Sequence, residues 1–131
     1  MGTRIEFKTA SGASAAGYLA EGGGAGVIVI QEWWGVVPQI EATCDRFAAA
    51  GFTALAPDLY DGRTVPVDEP DQAAKEMMGL QFETAAADLS GAVDELVSRT
   101  RRAGVGAVGY CMGGGLALVL AARRPDAIRA V

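Results

Sequence analysis

The chain has 131 residues, of which 50% are hydrophobic and 21% are charged, a composition typical of one folded globular domain. Its net charge of −5 argues against nucleic acid as a partner, because a polyanion is held by excess Lys and Arg. The N-terminus lacks the basic and apolar regions of a signal peptide, and no apolar run is long enough to span a membrane. We therefore expect a single cytoplasmic domain over residues 1–131, without a membrane partner.

Four strands are predicted in the first 60 residues. Residues 5–7 and 18–20, separated by a turn rich in Ser, Gly and Ala, predict an opening hairpin. Residues 27–30 form a short β-branched run that is apolar on both faces, which is typical of a central parallel strand. Residues 52–56 predict the next strand, which ends at a proline.

Apolar residues at helical spacing predict helices between and after these strands. Pro38 begins a helix whose core-facing side includes Cys44, and Gly51 supplies its stop. Asp71 is expected to cap a short helix that runs to about residue 78. Residues 82–101 form the clearest helix of the chain, with a continuous apolar stripe.

The last part of the chain predicts a strand, a sharp turn, a helix and the start of another strand. The strands are expected at residues 105–108 and 128–131, and the helix at residues 113–124, before Pro125. Strands that alternate with helices after an initial strand pair indicate an α/β fold, in which a mostly parallel sheet has helices on both faces.

Cys111 stands in a segment with the glycine spacing of a nucleophile elbow, Gly109-Tyr110-Cys111-Met112-Gly113. Small residues on either side of the nucleophile relieve crowding where a strand turns sharply into a helix. A cysteine there serves as a nucleophile whose proton passes to a base, usually histidine, yet the chain contains no histidine. The alternative is an ordinary buried thiol, since free cysteines are among the most buried residues.

Glu32 follows the strand at residues 27–30 in the way that Cys111 follows the strand at residues 105–108. The active crevice of an open parallel sheet lies beyond the carboxyl ends of its strands. We therefore expect Glu32 and Cys111 at the same edge of the sheet. The alternative for Glu32 is a solvated loop acid, which is the usual state of a lone carboxylate.

Three segments, in this order, resemble the motifs of the dienelactone hydrolase family of α/β-hydrolases: Gln31-Glu32-Trp33-Trp34-Gly35, Ala56-Pro57-Asp58-Leu59-Tyr60 and Gly109-Tyr110-Cys111-Met112-Gly113-Gly114. The resemblance covers about residue 27 to the end of the chain. It implies an α/β-hydrolase-like fold and a hydrolase of small activated esters or lactones, whose cysteine forms an acyl-enzyme. The alternative is a catalytically inactive fragment or a non-catalytic binding domain of the same origin.

The resemblance also implies roles for individual residues. Cys111 is the nucleophile, Glu32 interacts with its thiol, and the backbone N–H groups of Met112 and Trp33 form the oxyanion hole. Three side chains are expected to bind the substrate: Arg63, Trp34 and Tyr60. Arg63, as the arginine nearest after the Asp-Leu-Tyr motif, would hold a substrate carboxylate, or else it is a plain solvated loop residue. Trp33 and Trp34 either line the mouth of the pocket or pack over the sheet edge.

The family completes its triad with an aspartate and a histidine after later strands, and neither position falls within residues 1–131. At ~30 residues per βα unit, finishing such a sheet takes on the order of 100 further residues. We therefore expect a domain truncated after the elbow helix, with an exposed sheet edge that favours self-association. Asp126 is not expected to replace the triad aspartate, because it lies at the far end of that helix.

No cofactor or metal is expected. Residues 104–109 fit the glycine pattern of dinucleotide-binding loops, but most of that segment is the predicted strand rather than a turn that opens a helix. Without histidine, and with only two separated cysteines, the chain offers no transition-metal cluster. The expected ligand is a small ester or lactone that carries a carboxylate.

Overall fold

The computed structural model describes all residues, Met1–Val131, as six strands and four helices in the predicted order. The strands are β1 (Thr3–Lys8), β2 (Ser14–Glu21), β3 (Gly26–Ile30), β4 (Thr53–Pro57), β5 (Val105–Gly109) and β6 (Ile128–Ala130). The helices are α1 (Pro38–Ala49), α2 (Pro70–Gly79), α3 (Phe82–Thr100) and α4 (Met112–Arg123). None of them combines the length and the apolar character that crossing a membrane requires.

All six strands belong to one sheet with the order β1-β2-β4-β3-β5-β6. Strands β1 and β2 form the predicted hairpin, and β2 runs antiparallel to β4. The other neighbours, β4 with β3, β3 with β5 and β5 with β6, are parallel. The prediction of a mostly parallel sheet is confirmed.

The sheet is covered by helices on both faces, as predicted. One face packs against α3 and α4 in the larger core, which includes Ile28, Leu55 and Leu96. The other face packs against α1 in a smaller core, which includes Val29, Cys44 and Ala54. Every residue of β3 and β4 is buried because these central strands have a helix layer on each side.

The end of α1 was predicted correctly from the sequence, and the start of α2 was not. After α1, Gly51 adopts a positive φ of 100°, so the predicted glycine stop is confirmed. Helix α2 begins at Pro70, with Glu69 at the capping position and no side-chain cap. The prediction that Asp71 caps this helix was wrong, because proline, whose fixed φ suits the first helical position, starts it earlier and leaves Asp71 in the first turn.

The connections between the strands create one crevice, at the carboxyl ends of β3 and β5. The chain leaves β3 through α1 towards β4, and it leaves the neighbouring β5 through α4 towards β6 on the opposite side. The loops after β3 and β5 therefore diverge at adjacent carboxyl ends. This point of reversal is where ligands bind in open α/β sheets.

Candidate active site

Cys111 occupies a strained turn between β5 and α4. Its backbone has φ 56° and ψ −116°, on the side of φ space that residues with a side chain seldom adopt. Such a conformation costs about 1–3 kcal/mol and persists only where the surrounding structure imposes it. Two hydrogen bonds close the turn: Gly113 N–H donates to Tyr110 C=O (2.9 Å) and Gly114 N–H donates to Cys111 C=O (2.9 Å).

The flanking glycines are required by close backbone approach. A Cβ atom on Gly109 would collide with the carbonyl oxygen of Gly113, and one on Gly113 would collide with the carbonyl oxygen of Ile30. The glycine spacing that predicted the elbow therefore has a steric cause in the structure. The first turn of α4 lies directly against the end of β3.

The Cys111 side chain is exposed and is a free thiol. The alternative that it is an ordinary buried cysteine is wrong. That description fits Cys44, which is fully buried in the smaller core and whose pKa is raised by burial to about 12.

Glu32 lies beside the elbow, at the edge that the sequence predicted. Ile30 and Gly109 are direct neighbours across β3 and β5, and Tyr110 N–H donates to Ile30 C=O (3.3 Å). The half-buried Glu32 lines a groove of about 290 Å³ together with Tyr110 and residues of α1. No hydrogen bond joins its carboxylate to the Cys111 thiol, which contacts solvent. The interaction of Glu32 with the thiol stays a prediction.

The two backbone groups predicted to form an oxyanion hole are available as donors. Neither the N–H of Trp33 nor that of Met112 donates a hydrogen bond within the protein. Met112 is the first residue of α4, where unpaired N–H groups and the helix dipole favour negative charge. Trp33 lies in the loop after β3, against which the elbow packs.

Tyr60 is almost completely buried rather than open to a pocket. Its hydroxyl donates to the Sδ atom of Met112 (3.9 Å), and burial raises its pKa to about 12. Tyr60 therefore packs beneath the first residue of α4. Its predicted role in substrate binding is untested, and the structure gives it a supporting contact with Met112.

Arg63 and Trp34 lie on two loops that pack together. The exposed Arg63 guanidinium donates from Nε (3.1 Å to both oxygens) and Nη2 (3.0 Å) to the Glu76 carboxylate of α2. The carbonyl of Trp34 accepts a hydrogen bond from Val65 N–H (2.9 Å). The Trp33 and Trp34 rings meet edge to face at 5.5 Å, and both residues are half-buried. The structure thus leaves both tryptophan alternatives open.

No role was predicted for Gln31 or Asp58, and the side chains of both residues form hydrogen bonds that hold the loops of this site. Gln31 is fully buried, and its side chain joins the loop after β3 to Leu59. The buried Asp58 accepts hydrogen bonds from the N–H groups of Tyr60 (3.0 Å) and Gly62 (2.9 Å) and pairs with Arg4. A polar residue that directly follows an apolar strand was the available signal in both cases.

Asp126 is remote from this edge, as predicted. It follows α4 and receives two hydrogen bonds from the Arg124 guanidinium (3.0 and 3.1 Å), which lower the pKa of its carboxyl group. The pattern at residues 104–109 lies mostly in β5, as predicted. No group of three or more Cys, Asp or Glu side chains is arranged to hold a metal ion.

Comparisons with known proteins agree with this geometry. "Protein usf" of Aquifex pyrophilus is 40% identical over an alignment that covers 99% of this chain and 59% of that protein. A putative carboxymethylenebutenolidase of Aquifex aeolicus is 36% identical over an alignment that covers the same shares, 99% of this chain and 59% of that protein. The structure of a putative dienelactone hydrolase from Klebsiella pneumoniae has a TM-score of 0.74 at 25% identity, covering 98% of this chain and 58% of that one.

This chain therefore spans a little under three fifths of the length of these relatives. A profile of the dienelactone hydrolase family matches residues 15–131, which include the elbow, the loop after β3 and the turn after β4. The strained cysteine turn, the crevice between β3 and β5 and this match lead to one conclusion: the chain belongs to the dienelactone hydrolase family.

Proposed function

We propose that the protein is a hydrolase of small activated esters or lactones, with Cys111 as its nucleophile. The observation that carries this proposal is the backbone of Cys111, which is held at φ 56° so that an exposed thiol stands at the point where the sheet connections diverge. We also propose a cytoplasmic location, because both cysteines are free thiols, as is usual in a reducing compartment.

The proposed reaction begins with attack of the Cys111 thiolate on the ester carbonyl carbon. A C–S bond forms, and the carbonyl oxygen becomes an oxyanion that accepts hydrogen bonds from the N–H groups of Met112 and Trp33. Collapse of this intermediate breaks the C–O bond and leaves an acyl-enzyme. The departing oxygen takes up the proton that the thiol gave up, and it leaves as an alcohol or stays attached as the hydroxyl of an opened lactone. Water then hydrolyses the thioester and restores the thiol. Glu32 is the proposed partner of the thiol.

The chain contains no histidine, so residues 1–131 provide no triad base of the usual kind. The relatives extend well beyond the matched region. We propose that the aspartate and the histidine of the triad belong to a part of the protein that corresponds to this additional length. We expect the 131-residue chain to carry out the acylation half-reaction on an activated ester. A good leaving group needs no proton from a general acid.

Acylation is tested by mixing the chain with p-nitrophenyl acetate. We expect a burst of one equivalent of nitrophenolate and one acetyl group on the protein, formed faster than with an equal concentration of a small thiol at the same pH. A rate equal to that of the small thiol would contradict the proposal. That result would favour the alternative of an inactive fragment or a binding domain.

We further propose that the substrate carries a carboxylate and that Arg63 binds it. The support is position: the carbonyl of Arg63 would lie 2.7 Å from a Cβ on Gly35, so its loop packs directly on the loop that carries Glu32 and Trp33. The ion pair with Glu76 is exposed, and such pairs are worth about 0–1 kcal/mol, so a substrate can compete for the guanidinium.

This role of Arg63 is tested with two esters, p-nitrophenyl acetate and p-nitrophenyl hemisuccinate. We expect Arg63→Ala to slow acylation by the carboxylate-bearing ester and to leave acylation by the neutral ester unchanged. Glu76→Gln, which removes the negative charge that competes for the guanidinium, is the matched control and should favour the carboxylate-bearing ester. Equal effects of Arg63→Ala on both esters would contradict the assignment.

We also propose that the 131-residue chain self-associates through β6. This three-residue strand pairs only with β5, so its outer edge carries unpaired backbone groups. Beside it runs an apolar groove of about 390 Å³, lined by Phe47, Phe52, Val108 and Val131 among others. A second copy fits this edge because two β6 strands can pair antiparallel about a two-fold axis.

Light scattering of the purified chain tests this assembly. We expect a dimer or larger species that weakens in Ala130→Pro, since proline at an edge strand removes a donor and blocks pairing. A wild-type chain that remains monomeric and melts cooperatively would overturn the assembly proposal. It would leave the proposed chemistry of Cys111 untouched.

A further inference from the structure

We propose that Gln31 is a positioning residue that orients the Trp33 N–H group for the developing oxyanion. The inference deepens the function proposed above and rests on it. The segment that Gln31 begins, residues 31–35, is called the oxyanion loop below.

The Gln31 side chain is fully buried at the end of β3, where an unpaired amide would be costly. Both ends of its carboxamide are satisfied. Oε1 accepts a hydrogen bond from Leu59 N–H (2.9 Å), and Nε2 donates to the carbonyl oxygen of Glu32 (3.3 Å). The side chain therefore ties the oxyanion loop to the turn that follows β4.

A third contact ties the same residue to the elbow. The backbone carbonyl of Gln31 would lie 2.6 Å from a Cβ atom on Gly113, so it lies directly against the first turn of α4. Tyr110 N–H donates to the adjacent Ile30 C=O (3.3 Å). Gln31 is thus in contact with the rest of the oxyanion loop, the turn after β4 and the helix that begins at Met112.

The hydrogen bond to Glu32 C=O bears directly on the Trp33 N–H. These two groups belong to one peptide unit, and a trans peptide is planar with its C=O and N–H pointing in opposite directions. When Gln31 Nε2 and Gly35 N–H (3.2 Å) both donate to the Glu32 carbonyl, the Trp33 N–H is directed to the other side. That N–H has no partner within the protein and is one of the two donors assigned to the oxyanion.

The test separates an effect on the oxyanion from a general effect on the thiol. Acylation of Cys111 by p-nitrophenyl acetate passes through an oxyanion, whereas alkylation by iodoacetamide displaces iodide at a saturated carbon and forms none. Gln31→Met keeps the length of the side chain and removes both hydrogen bonds. We expect acylation to slow about tenfold or more, because loss of a whole oxyanion donor costs ~10²–10³-fold, while alkylation changes less than about twofold.

Thr53→Val is the matched control. Thr53 is also buried, but it lies at the opposite, amino end of β4, away from the loops of the site. Its replacement should leave the ratio of acylation to alkylation unchanged. If Gln31→Met slows both reactions equally, or neither, the positioning role is overturned even though wild-type acylation supports the proposed function.

A second measurement keeps the inference testable if the wild-type chain shows no acylation above a small thiol. Amide hydrogen exchange and NMR then report the hydrogen bonds and the conformation of the oxyanion loop directly. Faster exchange of the Leu59 N–H and a shifted resonance of the Trp33 N–H in Gln31→Met support the positioning role. Unchanged exchange and an unchanged Trp33 resonance overturn it, whatever Cys111 does.

Discussion

The two cysteines of this chain place the same side chain in opposite settings. Cys44 lies on the core-facing side of α1, fully buried, and burial raises its pKa to about 12. Cys111 lies on a strained turn, exposed, at the carboxyl edge of the sheet. Because both residues carry a thiol, the thiol alone does not distinguish the candidate site from the core. The distinguishing feature is the backbone geometry of the turn at Cys111.

The two settings also depend on different parts of the sequence. Cys44 is placed by helical periodicity, because it and Ile40 face the same core. Cys111 is placed by glycines that allow the elbow to touch the end of β3. Variants of each cysteine and of its supporting residues should therefore distinguish effects on the stability of the core from effects on the reactivity of the thiol.

The largest contrast is expected for replacement of the cysteines themselves. Cys111→Ala removes the proposed nucleophile and should abolish the nitrophenolate burst with p-nitrophenyl acetate. Cys44→Ala should retain the full burst, because a buried thiol with a raised pKa provides almost no thiolate near neutral pH. The measurement is the burst amplitude per chain. A burst that survives in Cys111→Ala would contradict the contrast.

The next largest contrast concerns two glycines of α4. Gly113→Ala forces a Cβ atom into the carbonyl of Ile30 and should lower the free energy of unfolding by about 3 kcal/mol. Gly115→Ala meets nothing within 4 Å and should raise it by about 1 kcal/mol, because alanine favours the helix. Urea unfolding of both variants measures the difference. Similar values for the two would mean that the elbow does not depend on this close approach.

The smallest contrast is a pH dependence carried by Cys44. Its folded pKa, about 12, lies above the usual value for a thiol, so the unfolded chain loses the thiol proton first. This contribution to stability is fully present below about pH 9 and is lost as pH rises towards 12, by up to about 1.4 kcal/mol per pH unit. Cys44→Ala lacks the group and should lack this part of the slope.

The measurement is urea unfolding of both proteins, under reducing conditions, between about pH 8 and pH 10. The stability advantage of the wild-type protein over Cys44→Ala should shrink as pH rises. The buried Tyr60 also has a raised pKa, but it is present in both proteins and cancels in the difference. A constant difference across this range would show that Cys44 ionises as easily in the folded protein as in the unfolded chain.

Much of this fold could be predicted from the sequence, because local signals agree with the tertiary structure. The apolar runs of β3 and β4, the stripe of α3 and the glycine stop after α1 all match the elements found. The start of α2 could not be placed, since Pro70 and Asp71 offered competing signals one residue apart. The order of strands in the sheet depends on non-local pairing, which periodicity does not encode.

The candidate site was predictable where spacing reflects a steric need, as at Gly109 and Gly113. The supporting residues were not predictable, because their roles depend on partners distant in sequence. Gln31 reaches Leu59, 28 positions away, and Asp58 pairs with Arg4, 54 positions away. The ion pair of Arg63 with Glu76 likewise could not be predicted, because it depends on the position of α2 beside the loop that carries Arg63.

We propose that the folded elbow, rather than the thiol alone, makes Cys111 a nucleophile towards esters. The most direct measurement is peptide mapping by mass spectrometry after brief exposure to p-nitrophenyl acetate, for the native chain and for the chain unfolded in urea. We expect an acetyl group on Cys111 of the native chain, none on Cys44, and slower acetylation of Cys111 once the chain is unfolded. Equal acetylation of Cys111 in the folded and unfolded chains would contradict this proposal.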